Sequence, residues 1–207
     1  MRRFNFLLLA LATISSAAFG KEWQFDVYLD AEPIGEHRFI LSEAADGQRE
    51  LVSQADFNVK FLFFNAYRYH HIAREHWAGD CLHRIEARTE ENNDVTLVQG
   101  KLEKSGFTLQ SPNPGTLDAC VMGFAYWNPK MLSQSRLLNP QTGEWMDSRI
   151  TRLGKERIEL KGQAVEADHY KLEATKVHID LWYSEDQDWL ALKSITPEGY
   201  VIDYKLR

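Results

Sequence analysis

A short run of histidines and acids is the part of the sequence whose residue types most suggest chemistry. It contains His70, His71, Glu75 and His76, and such residues bind zinc or exchange protons near neutral pH. On a helix His71 and Glu75 would be neighbours. On the strand that the flanking residues predict, four residues span about 13 Å and six about 20 Å, which is too wide to hold one ion. We therefore predict no metal site and no cofactor, and surface or hydrogen-bonded histidines instead; a metal site completed from another strand is the alternative.

The motifs of common enzyme classes are missing from the sequence. It has no Gly-x-Ser-x-Gly, no glycine-rich phosphate loop and no His-Glu-x-x-His. The acidic pairs Glu90 with Glu91 and Glu185 with Asp186 fall in polar turns, where solvation and turn geometry account for them. We assign no catalytic residue, and a pair of carboxylates assembled from distant strands stays open.

Aromatic side chains are the other feature that could serve a function. The chain has six Trp, eight Tyr and eleven Phe residues, many of them on the apolar faces of predicted strands. Apolar ligand sites are lined in this way, although barrels of about eight strands can also be filled by side chains alone. If a cavity exists, we predict that an apolar or lipid-like ligand contacts nine residues: Phe57, Phe61, Phe63, Tyr67, Tyr69, Phe124, Tyr126, Trp127 and Trp182.

The beginning of the chain has the features of a secretory signal peptide. Arg2 and Arg3 give a positive start, an apolar run continues to Ile14, and small residues follow. We predict a signal peptide over residues 1–20, a single domain over residues 21–207, and export to the periplasm. The apolar run is about half of the roughly 20 residues that a membrane helix needs, and no second long run follows, so we expect no transmembrane segment after cleavage.

Net charge narrows the range of partners. The whole chain has a net charge of −6, and loss of the signal peptide removes two arginines and no acid. The mature chain is therefore more acidic than the precursor. Because nucleic acid is bound chiefly through basic surfaces, we predict no nucleic-acid partner.

The two cysteines are expected to pair. Cys81 and Cys120 are the only cysteines in the chain, and an exported protein folds in an oxidising compartment. We predict one disulfide between them. The alternative, a reactive pair of thiols, lacks the Cys-x-x-Cys spacing that tunes such chemistry.

Apolar residues recur with a period of two through most of the chain, which predicts β-strands. Trp23, Phe25, Val27 and Leu29, for example, share one face. We count ten or eleven strands without βαβ spacing, which predicts a mainly β protein with a large, highly curved antiparallel sheet or barrel-like body. One unusually long strand predicts a strong twist or a bulge near Asn58.

One central segment, residues 119–143, does not have this alternation. Asn128 can cap a helix, and Pro129 suits its first position. We predict one short helix of about two turns, with Met131, Leu132 and Leu137 toward the core. The sheet would pack against this segment at its concave side or mouth.

Several motifs resemble those of a family of exported bacterial proteins classified only as a domain of unknown function. They are Cys-Val-Met-Gly-Phe-Ala-Tyr-Trp-Asn-Pro at residues 120–129 and Leu-Leu-Asn-Pro-Gln-Thr-Gly at residues 137–143, with similar openings and endings around Phe-Asp-Val-Tyr-Leu-Asp and Tyr-Lys-Leu. The resemblance covers most of the mature chain. It implies an exported β-rich domain and brings no catalytic residues with it.

Three hypotheses for function follow. The first is a non-enzymatic binding protein or carrier whose curved sheet holds an apolar or lipid-derived ligand near residues 124–127. The second is an envelope assembly factor that docks a protein partner through the same aromatic segment. The third is an enzyme whose site is assembled from distant strands.

Overall fold

A single large β-sheet makes up the computed structural model, which describes residues 19–61 and 64–207. The predicted signal peptide lies outside these residues, apart from its last two, and stays a prediction. In the described part of the chain, no helix has the length and apolar character that a membrane crossing requires.

Fourteen strands form the sheet, where the sequence pattern indicated ten or eleven. Every neighbouring pair is antiparallel. In chain order they are β1 (Phe19–Leu29), β2 (Glu32–Glu43), β3 (Gln48–Phe61), β4 (Phe64–Ala78), β5 (Cys81–Glu91), β6 (Asp94–Glu103), β7 (Gly106–Gln110), β8 (Gly115–Leu117), β9 (Arg136–Leu138), β10 (Trp145–Leu160), β11 (Gln163–Ala174), β12 (Val177–Tyr183), β13 (Trp189–Ile195) and β14 (Val201–Leu206).

The order of the strands shows two meanders joined in the middle. Strands β1 to β8 run outward in sequence from one side of the β1–β14 pair, and β14 back to β9 run outward from the other. The joint places Val27 of β1 opposite Tyr204 of β14. The first and last strands therefore lie at the centre of the sheet, not at its edges.

Alternation of side chains gives the sheet two different faces. In β1, Trp23, Phe25 and Val27 are buried at 4%, 0% and 0% exposure, while Gln24 and Asp26 lie on the opposite face. This confirms the predicted period of two. The register of β3 with β4 shifts between Val59 and Lys60, next to the predicted bulge, and such bulges increase the local twist.

The sheet is curved but open, so the barrel-like alternative holds only in part. Strands β8 and β9 are its two edges and do not pair with each other. The central segment bridges the gap between the two halves: Val121 forms a bridge with Leu82 of β5, and Gly123 forms one with Leu138 of β9. The irregular central segment, residues 119–143, thus takes the place of a closed ladder, and we call it the strap.

The predicted two-turn helix is wrong. Pro129–Ser133 forms a short 3-10 helix, although Asn128 does cap it by accepting a hydrogen bond from the Lys130 backbone N–H at 3.1 Å. Met131 faces the core with no exposure, whereas Leu137 is buried from β9. The helix ends at Ser133 because Gln134 is extended, with φ −87° and ψ 146°, and its N–H closes a 3-10 turn by donating to the Met131 carbonyl at 3.0 Å.

The predicted disulfide is confirmed. Cys81, the first residue of β5, is joined to Cys120 at the start of the central segment, with Cα atoms 4.8 Å apart. Next to this bond, the Leu82 N–H donates to the carbonyl of Val121 at 2.9 Å. The disulfide therefore ties the strap to the sheet where the strap begins.

Candidate functional site

A cavity of about 700 Å³ lies on the concave side of the sheet. One wall comes from β2, β3 and β4, and the facing wall from β12, β13 and β14. The central segment contributes Phe124 and Tyr126, together with the turn at residues 139–141. Because only β1 separates the two walls in the order of the strands, the sheet must curve around the cavity for both walls to face it.

Five of the nine predicted ligand-contacting residues line this cavity: Phe57, Tyr67, Tyr69, Phe124 and Tyr126. Phe57 and Tyr69 are opposite each other on β3 and β4, with rings stacked 5.2 Å apart. Tyr126 lies 5.2 Å from the ring of Trp189. The aromatic residues thus come together from strands and strap alike.

Two of the predicted residues lie elsewhere. Trp127 is 7% exposed and packs edge-on against Trp77 at 5.5 Å, beneath the guanidinium of Arg49. Trp182 lies on the outer face of β12, stacked on His169 at 4.7 Å. Neither tryptophan lines the cavity, and both pack against other residues of the fold. Period-two counting places Trp182 opposite its buried neighbours Leu181 and Tyr183, and this signal was available in the sequence.

Phe61 and Phe63 have no assigned role in the cavity. Phe63 lies outside the described residues, and Phe61 is the last residue of β3, with its side chain outside the described part. Their proposed contact with a ligand stays a prediction.

A hydrogen-bonded group of polar residues interrupts the apolar wall. His37 of β2 lies between the Ser53 hydroxyl, 2.8 Å from Nε2, and the Tyr204 hydroxyl, 3.2 Å from Nδ1. His37 and Ser53 are 8% and 6% exposed. Burial, reinforced by nearby His71, holds the pKa of His37 well below its ordinary value, so the ring is neutral at pH 7.

His71 forms a second polar contact on the same wall. The register aligns His37, Ala55, His71 and Thr89 in one row across β2 to β5. His71 Nδ1 lies 2.9 Å from the Thr89 hydroxyl, which donates to the carbonyl of Gln141 at 3.3 Å. Burial, with a smaller effect of His70, lowers the pKa of His71 to about 4. This histidine is also neutral at pH 7.

Glu75 is the buried acid of the cavity. It is 6% exposed, and its Oε2 accepts a hydrogen bond from the Trp77 indole at 3.0 Å. Burial raises the pKa of Glu75 to about 7, and the Trp77 hydrogen bond offsets only part of that shift. The carboxyl group therefore changes its charge near neutral pH.

The histidine run of the sequence divides between the two faces of β4. His70 points outward and pairs with Asp56 at 2.5 Å, whereas His71 and Glu75 face inward. Among residues 19–61 and 64–207, no three His, Cys, Asp or Glu side chains gather closely enough to hold a metal ion. The inward and outward histidines follow directly from strand alternation.

Sequence reasoning did not place the polar residues His37, Ser53, His71, Glu75 and Tyr204 in the cavity, although it had singled out His71 and Glu75. A signal existed, because each one occupies the apolar phase of its strand. His37 alternates with Phe39, and Glu75 with Trp77. A polar residue in a buried phase must find a partner, but the sequence does not show that these partners come from neighbouring strands and meet at one cavity.

Comparisons with known proteins identify a family of unknown function and a solved structure with a similar fold. A family model described as "Domain of unknown function (DUF6134)" matches residues 25–207. The chain is also similar to a solved structure from Brucella abortus, described as a β-barrel-like protein of domain of unknown function DUF1849. That likeness has a TM-score of 0.66 and 9% identity, and covers 93% of this chain and 98% of the other. It shows the fold alone. No curated protein matches the chain significantly.

Proposed function

Because the chain belongs to the DUF6134 family, to which no activity is attached, we propose from the cavity itself that the protein is a non-enzymatic carrier of an apolar or lipid-derived ligand. The sequence of its first twenty residues supports export, and we propose that it works in the periplasm.

The observation that carries this proposal is the cavity enclosed by the curved sheet. Its volume of about 700 Å³ falls within the range of about 300–1,000 Å³ that is usual for small-molecule sites. Leu51, Ile179, Leu192 and Ile202 are among the apolar residues in its walls. The free energy falls when an apolar ligand displaces water from such a surface. The few buried polar groups supply orientation.

The docking alternative has less support. It requires an exposed aromatic surface in the central segment. Trp127 is buried, and the hydroxyl of Tyr183 donates to the Tyr126 carbonyl at 2.8 Å, which fixes this part of the segment inward. An envelope protein partner would have to bind another surface.

The enzyme alternative has one observation in its favour, the contact of Ser53 with His37 at 2.8 Å. A serine nucleophile needs a base whose pKa lies near the working pH. Burial instead holds the pKa of His37 well below its ordinary value. Hydrogen-bonding to a ligand therefore suits this pair better than proton abstraction does.

The proposal is tested with N-phenyl-1-naphthylamine, an uncharged fluorophore that brightens in apolar sites. We expect saturable binding to the wild-type protein. Ser194 lines the cavity on β13, so Ser194→Trp should fill part of the volume and weaken probe binding at least tenfold. The matched control is Ile195→Trp, since Ile195 is the next residue on the strand and is 42% exposed on the outer face.

The result that overturns the carrier proposal is absence of saturable binding by the wild type, or equal binding by both tryptophan variants. Native mass spectrometry of protein purified from its own envelope provides a second readout. We expect an added mass in the wild type and its loss in the Ser194→Trp variant.

A further inference from the structure

The cavity has an uneven distribution of charge. Three carboxylates line it, from Glu75, Glu91 and Glu198. Among the residues whose side chains the structure describes, no lysine or arginine does so. An anionic headgroup would therefore be buried without a fixed positive charge to pair with. Burying an unpaired charge is energetically costly.

Depth separates the three acids. Glu91 and Glu198 are exposed at the opening, whereas Glu75 is 6% exposed. Along β4, the lining residues run from half-buried Tyr67 and Tyr69 to Glu75. Glu75 is eight positions after Tyr67 on the strand, which is roughly 26 Å at the usual rise. The cavity is thus long, with a carboxyl group at its inner end.

The remaining lining suits a positive charge. Aromatic faces attract cations through their quadrupole, and the attraction grows when water is removed. Phe39, Phe57, Tyr69, Phe124, Tyr126 and Tyr204 all contribute to the walls. A cavity lined by a buried carboxyl group, aromatic rings and neutral histidines complements an ammonium group better than it complements a carboxylate or phosphate.

We propose that the ligand is an amphiphile with a positively charged amine, held by Glu75 at the inner end of the cavity with its apolar body along the aromatic wall. This inference rests on the proposed carrier function and specifies its ligand class. The Trp77 indole donates to Oε2 of Glu75, which leaves Oε1 to face the positive charge of the ligand, whether a protonated or a quaternary amine carries it.

The test compares three amphiphiles with the same twelve-carbon chain: dodecyltrimethylammonium, dodecanol and laurate. Each is titrated below its critical micelle concentration and followed by tryptophan fluorescence. We expect the cation to bind at least tenfold more tightly than laurate, with dodecanol between them. Equal binding of the three, or tighter binding of laurate, overturns the inference but leaves the carrier function standing. Failure of all three and of the uncharged fluorophore overturns both.

Glu75→Gln identifies the residue responsible, because the amide keeps the shape and removes the charge. We expect the variant to lose about tenfold in affinity for dodecyltrimethylammonium at pH 8 and to keep its affinity for dodecanol. Glu50→Gln is the matched control, since Glu50 lies on the outer face of β3 and pairs with Arg74. Retained dodecanol binding shows that the variant is folded. Loss of cation binding in the control, or none in Glu75→Gln, contradicts the assignment.

The pH dependence gives an independent readout. The quaternary probe keeps its charge at every pH, and the histidines that face the cavity, His37 and His71, have pKa values lowered by burial. Because burial raises the pKa of Glu75 to about 7, its ionised fraction increases about tenfold from pH 6 to pH 8. Affinity for the cation should increase by the same factor, and this increase should vanish in Glu75→Gln. A flat profile in the wild type argues against the inference.

Discussion

The two faces of the same sheet differ in the side chains they present. Outward-facing residues form cross-strand ion pairs, such as Arg38 with Glu22 at 2.7 Å and Arg149 with Glu173 at 2.8 Å. The concave face has aromatic and aliphatic side chains, with buried polar groups that bond to one another. Exposed ion pairs add little stability because water and salt screen them. The outer face thus provides solubility, while the inner face provides stability and the cavity.

Adjacent histidines show this difference at the scale of one residue. His70 faces out and pairs with exposed Asp56, and His71 faces in and bonds to Thr89 at 2.9 Å with 2% exposure. The two side chains are chemically identical and one position apart. Alternation along β4 alone determines which of them is desolvated.

The largest expected difference between the faces concerns the neighbours Phe25 and Asp26. Phe25 is fully buried and packs against Trp189 at 4.5 Å and Tyr204 at 5.8 Å. Phe25→Ala should lower the free energy of unfolding by about 3–5 kcal/mol. Asp26 pairs with Arg207 on the outer face, and Asp26→Ala should cost far less. Chemical denaturation measures both, and equal losses would contradict the assignment of faces.

The disulfide should have the next largest effect, because it holds the central strap across the concave face. The bond closes a separation of 39 residues, for which the chain-entropy model gives about 3–4 kcal/mol. The double variant Cys81→Ser, Cys120→Ser should lose this amount in chemical denaturation. Reductant should destabilise the wild type similarly and leave the variant unchanged. A loss below about 1 kcal/mol would show that hydrogen bonds alone hold the strap.

A smaller effect should separate the two histidines by pH. The folded-state pKa of His71 is lowered to about 4, against about 6.5 in an unfolded chain. As pH falls from 6.5 toward 4, the unfolded chain binds a proton that the folded chain does not, so stability is lost. His71→Gln should reduce the loss between pH 7 and pH 5 by about 2 kcal/mol.

His70→Gln is the matched control for that measurement. Denaturation curves at pH 7 and pH 5 should show a smaller change in acid sensitivity for His70→Gln than for His71→Gln. If the two variants respond alike to acid, burial does not lower the pKa of His71 in the folded protein.

Much of the fold follows from residues close together in the chain. The alternation of Trp23, Phe25 and Val27 predicts β1 and its buried face. The cap at Asn128 was also predictable, because a side chain and a backbone N–H two residues away decide it. The length of the helix was not, since Gln134 is extended and the chain then enters β9, which pairs with β10 at the edge of the sheet.

The candidate site was only half predictable. Phe57, Tyr67, Tyr69, Phe124 and Tyr126 are large aromatics in apolar runs, and their composition alone indicates a buried surface. His37, Ser53 and Tyr204 belong to three strands, and the sequence separation of His37 from Tyr204 is 167. Only the pairing of β1 with β14 brings them together.

The sequence by itself determined the strand period, the negative net charge and the supply of aromatic residues, because each depends on neighbouring side chains or on composition. The tertiary structure decided that the sheet stays open, that a disulfide-tied strap spans it, and that a carboxyl group and two neutral histidines face one cavity. The physical reason is that strand order and curvature depend on contacts between residues far apart in the chain, and burial, which sets the charge of those groups, exists only once the sheet has curved.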